Sequence, residues 1–258
     1  MKNIAFITGG TRGVGYEILK KFTENNIFTI FTGRNIDEVK KIENKFSKEK
    51  CSGYELNMAN MYSVEKFLNN TRYLKKQPNI IIHNAGYLST NPIETISHYQ
   101  RLFSVNTISP ILLTQHFLPH IEKGHLFFVS PPYSIDSKVK YLTPYLQSKY
   151  AQTTYMKSLS QILSRKEIGV NSIWTKYPLW TDAIEKRKMG EKNQCVHPKI
   201  IADILFDIIE KEDPLFFKGN EIIDDDYLKK KEIDIKPYLF SDDVIYLDDL
   251  FLSKLKKE

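Results

Sequence analysis

The sequence predicts an α/β protein: a single domain with one doubly wound parallel β-sheet and helices on both faces of that sheet. Short apolar runs of β-type residues alternate along the chain with longer amphipathic segments, which is the order of repeated strand–helix–strand units. The apolar runs are continuous, as in parallel strands that are covered on both faces. The chain of 258 residues contains no internal repeat, no low-complexity linker and no break in composition. We therefore expect one domain.

Strands and helices are predicted in alternating order along the chain. The strand candidates are Ile4–Thr8, Phe28–Thr32, Ser52–Leu56, Asn79–Ile82, Leu126–Ser130, Val170–Trp174 and Glu221–Ile223. The helix candidates are Val14–Glu24, Asp37–Phe46, Met61–Tyr73, Ile96–Ile121, Pro144–Leu163 and Pro198–Ile209. The tail after Asp224 is charged but also contains the apolar residues Tyr238, Leu239, Phe240, Leu247, Leu250, Phe251 and Leu252. We expect a main domain over residues 1–225 and a C-terminal extension, residues 226–258, that packs on the same domain.

The composition argues against several classes of protein. Lys and Arg number 37 against 31 Asp and Glu, a formal charge of +6; the basic residues are dispersed, so we expect no nucleic-acid partner. No apolar run approaches the roughly 18 residues that span a bilayer, and the N-terminal apolar stretch is too short for a signal peptide. We expect no membrane association. Two cysteines, Cys51 and Cys195, cannot build a disulfide framework, so a cytoplasmic location is expected.

The first predicted strand runs into a glycine-rich turn, Thr8-Gly9-Gly10-Thr11-Arg12-Gly13-Val14-Gly15, that opens a helix. A phosphate beside a helix N-terminus needs close backbone approach without Cβ atoms, and the exposed N–H groups favour an anion. The spacing of Gly9, Gly13 and Gly15 differs from the common G-x-G-x-x-G pattern. The turn is therefore interpreted as a phosphate-binding site, with a tight ligand-free turn as the alternative.

The end of the second predicted strand, Thr32-Gly33-Arg34-Asn35, indicates which dinucleotide binds. NAD sites usually place an acidic residue about 20 residues after the glycines, where it accepts the ribose 2′-OH. This strand end has no acid. Arg34 can instead hold a 2′-phosphate, because a guanidinium matches phosphate geometry, and Arg12 adds a second positive charge. The pattern therefore predicts NADP(H). The alternative is that either arginine is only a solvated surface charge.

A tyrosine and a lysine four residues apart, Tyr145 and Lys149, lie at the start of a long predicted helix. Residues at this spacing share a helical face, so both can act on one substrate atom. A tyrosine with a free pKa near ~10 needs a nearby ammonium to act as acid or base at neutral pH. Asn106 lies inside the preceding predicted helix, where Asn is unfavourable, and Asn84-Ala85-Gly86 closes the fourth strand. A solvated lysine, a helix-start tyrosine and a core asparagine are the alternatives.

Together these motifs resemble the short-chain dehydrogenase/reductase family over about residues 1–225, which implies a Rossmann-type fold. Segments 129–132, 145–150, 170–176, 195–203 and 219–226 further resemble hydroxysteroid dehydrogenase-like members of that family. The resemblance implies that Tyr145 is the general acid/base and that Lys149 holds the nicotinamide ribose and lowers the tyrosine pKa. It also implies that Ser130 positions the carbonyl and that Asn106 supports a proton-relay water.

The resemblance also implies which residues bind the cofactor and how the chain assembles. The cofactor-binding candidates are Gly9, Thr11, Arg12, Gly13, Val14, Gly15, Arg34, Asn57, Asn84, Ala85, Gly86, Tyr145, Lys149 and Thr181. The helices that carry Asn106 and Tyr145 are expected at the interface of a homodimer or homotetramer.

Three positions depart from the family pattern. Asn57 stands where the family usually has an Asp that contacts adenine. Pro131 occupies the usual place of the catalytic serine, which leaves Ser130, 15 residues before Tyr145, with Tyr133 and Ser134 as alternatives. The usual Pro-Gly after the sixth strand is replaced by Trp174-Thr175-Lys176-Tyr177-Pro178, while Thr181 is the candidate for the nicotinamide amide contact.

The leading hypothesis is an NADP(H)-dependent carbonyl reductase or alcohol dehydrogenase that acts on a small apolar substrate. Aromatic candidates to line the pocket, or simply to fill the core, are Trp174, Tyr177, Trp180, Tyr87 and Tyr133. One alternative is a cofactor-binding scaffold or sensor whose chemistry is impaired by the Pro131 substitution. Another is a biosynthetic enzyme that uses Tyr145 for proton transfer, such as dehydration. His116 and His120 have the spacing of a zinc pair, but no third ligand is evident, so no metal is expected.

Overall fold

Seven parallel strands form one sheet in the computed structural model, which describes residues 3–133, except 73, 75, 76, 90 and 92, together with residues 143–247 and 249. The strands are β1 Ile4–Ile7, β2 Phe28–Gly33, β3 Cys51–Glu55, β4 Ile80–His83, β5 Lys123–Val129, β6 Glu167–Trp174 and β7 Glu221–Ile223. Their order across the sheet is β3-β2-β1-β4-β5-β6-β7. The order reverses between β1 and β4, and ligands of such sheets bind outside the carboxyl ends of the strands at that reversal.

Helices cover both faces of the sheet. They are α1 Gly13–Glu24, α2 Ile36–Phe46, α3 Met61–Thr71, α4 Ile96–Phe103, α5 Ser109–Phe117, α6 Thr143–Ile162, α7 Asp182–Lys186, α8 Lys199–Lys211 and α9 Asp224–Lys230. One apolar core packs α1, α2 and α8 against the sheet, and a second packs α3, α5 and α6 against its other face. Within β1, Ala5 and Ile7 belong to the first core and Phe6 to the second, as the alternation of strand side chains requires. The predicted doubly wound fold is confirmed.

The helix predicted over residues 96–121 is present as a continuous helical run, but it is not one regular α-helix. The structure has α4, a π-helical turn over Ser104–Ile108, α5, and a 3₁₀ turn over Leu118–His120. Pro110, at the start of α5, has no backbone N–H to donate into the preceding π-helical turn. The candidate Asn106 lies within the π-helical turn.

Two short helices, α7 and α9, were not predicted. The charged segment that begins at Asp224 starts with three consecutive acids, residues 224–226, and these form the first turn of α9. Acidic side chains there interact favourably with the positive end of the helix dipole.

The segment after α9 runs back across the body of the protein. The Tyr238 carbonyl accepts a hydrogen bond from the His197 N–H at 2.8 Å, and the Leu247 N–H donates to the Lys176 carbonyl at 2.9 Å. Leu239 and Val244 pack against the first core. The predicted contacts of Leu250, Phe251 and Leu252 lie outside the described residues. Within the described part of the chain, no helix has the length and apolar character needed to cross a bilayer.

Candidate active site

The glycine turn at the end of β1 packs tightly against its own backbone and against the residues that follow β4. A Cβ atom at Gly15 would lie 2.1 Å from the Gly9 carbonyl oxygen, so no other residue fits there. Gly13 has a φ of +55°, in the left-handed region that glycine tolerates without strain. No side chain caps the N-terminus of α1, which leaves its first N–H groups for an anion. This cradle fits a dinucleotide diphosphate.

The turn after β4 is tied to the glycine turn by side-chain hydrogen bonds. Asn84 Nδ2 donates to the carbonyls of Thr8 and Gly9 at 3.0 and 3.2 Å, and the Ala85 N–H donates to Thr8 Oγ1 at 3.0 Å. Asn84 and Ala85 therefore hold the turn after β4 and the glycine turn together, at the point where the strand order reverses. A Cβ at Gly86 would lie 3.5 Å from Lys149 Nζ, so this turn also reaches the lysine.

Arg34 is exposed directly after β2, at the sheet edge where the glycine turn lies. Asn35, the next residue, caps α2 by accepting hydrogen bonds from the N–H groups of Asp37 and Glu38. Thr11 packs over Gly33, since a Cβ there would lie 2.5 Å from Thr11 Cγ2. Within the described part of the chain, no carboxylate forms an ion pair with Arg34, so its guanidinium is available to a ligand.

Two other predicted cofactor residues have partners of their own. Arg12 Nη1 lies 3.4 Å from Asp182 Oδ2, an ion pair between half-exposed side chains that joins the glycine turn to α7. Asn57 is exposed after β3, and its Oδ1 accepts a hydrogen bond from the Ala59 N–H at 3.1 Å. Asn57 therefore stabilises its own turn, with the polar side chain at the sheet edge.

A cavity of about 190 Å³ opens between the glycine turn and α7. Thr181 lines this cavity, and its Cγ2 lies 3.3 Å from where a Cβ of Gly13 would be. Thr181 is thus next to the glycine turn, and its contact with a nicotinamide amide stays a prediction. The other lining residues are Glu17, Trp180, Asp182, Glu185, His197, Pro198 and Phe240.

Asn106 is fully buried and held at three points. Its Oδ1 accepts from the Tyr87 N–H at 2.8 Å, while Nδ2 donates to the Tyr87 carbonyl at 3.0 Å and to Ser148 Oγ at 2.9 Å. Ser148 in turn donates to the Tyr145 carbonyl at 2.7 Å. The π-helical turn therefore places Asn106 against Ser148 of α6, which lies between the predicted tyrosine and lysine in the sequence. Ser148 was not singled out from the sequence.

Lys149 is buried, with 2% of its surface exposed. Its Nζ donates to the Val129 carbonyl at the end of β5 (2.7 Å) and to Gln152 Oε1 (3.3 Å). Burial disfavours the ammonium and lowers the pKa of Lys149 to about 7. Tyr145 is half-buried; burial raises its pKa, and the charge of Arg187 opposes that shift.

The structure does not bring Ser130 to the open side of the site. Its side chain is fully buried, and its Oγ lies 2.9 Å from Thr153 Oγ1 on α6. Thr153 Oγ1 is also 2.7 Å from the Pro131 carbonyl. Of the two alternatives, Tyr133 is 46% exposed and Ser134 lies outside the described residues. The sequence-based role of Ser130 toward substrate is untested, and its burial leads us to expect that Ser130→Ala affects stability rather than turnover.

The aromatic candidates divide between structural and exposed positions. Tyr177 donates to Asp225 Oδ1 at 3.2 Å and stacks on Tyr246. Trp174 is half-buried at the end of β6. Tyr145 and Trp180 pack against the same small apolar cluster, formed by Leu146, Ile184, Met189 and Cys195.

One histidine of the possible zinc pair has a partner of its own. His116 Nε2 is hydrogen-bonded to Thr71 Oγ1 at 3.2 Å. Among the residues that the structure describes, no three His, Cys, Asp or Glu side chains are grouped to hold a metal.

Curated proteins with similar sequences include a dehydrogenase-like protein and an oxidoreductase. Hydroxysteroid dehydrogenase-like protein 2 of Danio rerio is 25% identical over 96% of this chain and 63% of its own length. The uncharacterized oxidoreductase YhxC of Bacillus subtilis (strain 168) is 30% identical over 70% of this chain and 65% of its own length. The chain thus spans less than two thirds of these relatives.

Solved structures share the fold at low identity. A short chain dehydrogenase from Mycobacterium thermoresistibile aligns with a TM-score of 0.82 at 19% identity, covering 95% of this chain and 94% of that one. A metagenomic short-chain oxidoreductase in complex with NADP gives 0.70 at 18% identity, covering 86% of this chain and 96% of that one. The complex of 4-hydroxyisoleucine dehydrogenase with NADH gives 0.74, also at 18% identity with coverages of 86% and 96%.

A family model covers most of the chain. The model described as short chain dehydrogenase matches residues 3–191, the part that contains the glycine turn, Asn106, Tyr145, Lys149 and Thr181. Proteins of this family are oxidoreductases that bind a nicotinamide cofactor. The chain belongs to the short-chain dehydrogenase family.

Proposed function

We propose that the protein is an NADP(H)-dependent oxidoreductase that interconverts a carbonyl and an alcohol on a small apolar substrate. The observation that carries this proposal is the convergence of Gly86, Asn106 and Lys149. A Cβ at Gly86 would lie 3.5 Å from Lys149 Nζ and 3.6 Å from Asn106 Oδ1. The loop that fastens the glycine cradle therefore also reaches the buried lysine that follows Tyr145 by one helical turn.

The proposed chemistry divides the reaction between cofactor and chain. When bound, the nicotinamide supplies or accepts hydride. Tyr145 Oη gives the proton to the substrate oxygen, or removes it in the opposite direction. Lys149, one helical turn later, offers its ammonium to the cofactor ribose and favours the ionised tyrosine. Asn106 holds the first turn of α6 in place through Ser148.

The surroundings of Tyr145 support an apolar substrate. The cluster behind it is apolar, and Ile245 and Leu247 of the C-terminal segment pack against the same cluster as Trp180. Apolar walls with few polar groups are typical of pockets for small apolar ligands. Assembly as a homodimer or homotetramer is part of the proposal, and sedimentation velocity measures it.

The test of the chemistry is removal of the tyrosine hydroxyl. Tyr145→Phe should lower turnover by about a hundredfold to ten-thousandfold, the usual contribution of a general acid/base, and leave NADPH affinity nearly unchanged. Lys149→Ala should weaken both. Turnover is followed as NADPH oxidation with a panel of aldehydes and ketones. Tyr155→Phe, on the same helix, is the matched control. Normal turnover by Tyr145→Phe would remove Tyr145 from the mechanism.

The test of the cofactor is reversal of charge at the end of β2. Arg34→Asp should weaken NADPH binding at least tenfold, since a hydrogen bond to a charged group contributes about 1.5–3 kcal/mol, and should leave NADH binding unchanged or tighter. Arg165→Asp, an exposed arginine remote from β2, controls for the change of net charge. Tighter binding of NADH than of NADPH by the unmutated protein contradicts the proposal.

The burial of Ser130 favours a second candidate, a cofactor-binding scaffold or sensor with impaired catalysis. If Ser130 cannot reach the substrate, one donor that polarises the carbonyl is missing, which typically costs about 2.7–4 kcal/mol of barrier. Tight NADPH binding without oxidation by any carbonyl of the panel would favour this candidate. Turnover of one carbonyl with the expected Tyr145 dependence would exclude it.

A further inference from the structure

Gln152 is a buried side chain, and within the described part of the chain its one hydrogen bond is with Lys149. It lies three residues after the lysine on α6, hence on the same face of that helix, and 1% of its surface is exposed. Its Oε1 accepts from Lys149 Nζ at 3.3 Å. Its Nε2 is buried without a hydrogen-bond partner in the described part of the chain. An ammonium only donates hydrogen bonds, so the amide must turn its oxygen to Lys149.

This orientation has an energetic cost that calls for an explanation. A buried amide N–H without a partner is unfavourable, because it gives up its hydrogen bond to water on folding and gains none in return. A leucine or methionine would fill the same volume at no such cost. The favourable part of the contact is the amide dipole, whose negative end faces a cation in a region of low dielectric.

The other groups around Lys149 do not supply a negative charge. His83, at the end of β4, is fully buried; desolvation first, and the charge of Lys149 second, lower its pKa to about 3, so it is neutral at physiological pH. Tyr145 has a raised pKa and is neutral as well. Asn106 is uncharged, and no carboxylate among the described residues pairs with the lysine. Val129 O and Gln152 Oε1 are therefore the acceptors that compensate the ammonium.

We propose that Gln152 is a positioning residue that holds Lys149 Nζ at the end of β5 and stabilises its charged form. An ammonium has three N–H groups; the Val129 carbonyl and Gln152 accept two of them, and among the described residues no acceptor takes the third, which is available to a ligand. The use of that third proton toward a cofactor ribose rests on the proposed function. The effect of Gln152 on the lysine itself does not.

The ionisation of Lys149 tests the inference directly, without turnover. In protein with ¹³C-labelled lysine, the Lys149 Cε signal is the one lost in Lys149→Met, and its shift is titrated with pH. Gln152→Leu should lower the pKa of Lys149 by about one unit or more, a tenfold change in its protonation equilibrium. Gln152→Glu should raise that pKa. Gln161→Leu, the same change at an exposed position of α6, should have no effect.

Cofactor binding provides the second readout. Because Gln152→Leu loses the ammonium at lower pH, its NADPH affinity relative to wild type should fall further at about pH 8 than at about pH 6. Gln152→Met replaces Gln152→Leu if the latter does not fold. An unchanged Lys149 pKa in the apolar variant would overturn the inference, because a glutamate at this position raises that pKa whatever the native amide does. Failure of the wild type to bind NADPH would instead refute the proposed function, with the titration of Lys149 still deciding the role of Gln152.

Discussion

Ser130 and Thr153 form a buried hydroxyl pair where β5 ends beside α6. Ser130→Ala should lower the free energy of unfolding by about 1 kcal/mol, the usual loss for one buried hydrogen bond, and leave turnover near wild type. Denaturant titration and the carbonyl assay measure the two effects. Ser158→Ala, exposed on α6, is the control. A loss of turnover of a hundredfold or more, as for a missing oxyanion donor, would instead return the substrate contact to Ser130.

The site residues differ in how far the sequence could predict them. Tyr145 and Lys149 could be predicted because residues four apart on a helix share a face and because this pair follows the glycine turn and the fifth strand in the order that resembles the family. Gln152 and Thr153 lie on the same helix but could not be predicted. Their partners, Lys149 Nζ and Ser130 Oγ, are determined by how α6 packs on the end of β5, a tertiary contact that no local pattern encodes.

At the scale of elements, the segment after β6 is fastened to the start of α9 by a buried carboxylate. Asp224 accepts hydrogen bonds from Thr175 Oγ1 and from the Lys176 N–H, both at 2.7 Å. Its neighbour Asp225 binds Lys176 Nζ at 2.8 Å. This arrangement takes the place of the Pro-Gly turn usual in the family, and it positions the chain that leads to Thr181.

The buried carboxylate predicts a pH dependence of stability. Burial raises the pKa of Asp224 to about 6 from 3.8, so between these values the folded chain binds more protons than the unfolded chain. The contribution of this group to stability is therefore full below about pH 4 and falls by about 3 kcal/mol as the pH rises through about 6. Asp224→Asn should remove this fall from the pH profile of the unfolding free energy.

Asp226→Asn is the matched control for that profile, because Asp226 lies two residues later on the same helix and is exposed. The two variants are compared by urea denaturation across the acidic range. The same change of slope in both variants would show that Asp224 is not the group responsible.

The elements themselves were predictable to different degrees for a physical reason. Buried parallel strands leave continuous apolar runs in the sequence, and each of the seven runs marks a strand of the sheet. Helices α7 and α9, with five and seven residues, are too short to establish a periodic apolar face. The π-helical turn has the composition of an ordinary helix, so the apolar pattern over residues 96–121 conceals it.

At the scale of the whole molecule, the sheet separates two apolar cores, and β1 contributes to both through alternate residues. The doubly wound architecture could be predicted because alternating strand and helix signals leave few ways to bury both sheet faces. The course of residues 231–247 could not, because it depends on single contacts such as Leu247 with Lys176. The proposed homodimer or homotetramer remains a prediction at this scale.

The π-helical turn at Ser104–Ile108 makes the length of this helical region as important as its composition. A π turn is equivalent to an α-helix that carries one inserted residue. Deletion of that residue would restore regular winding and rotate everything after it by about 100° relative to everything before it. Asn106 and α5 could not both keep their present neighbours. Substitutions around Asn106 leave this rotation unchanged. Insertions and deletions between α4 and α5 change it, and should therefore be eliminated by selection among descendants of this sequence.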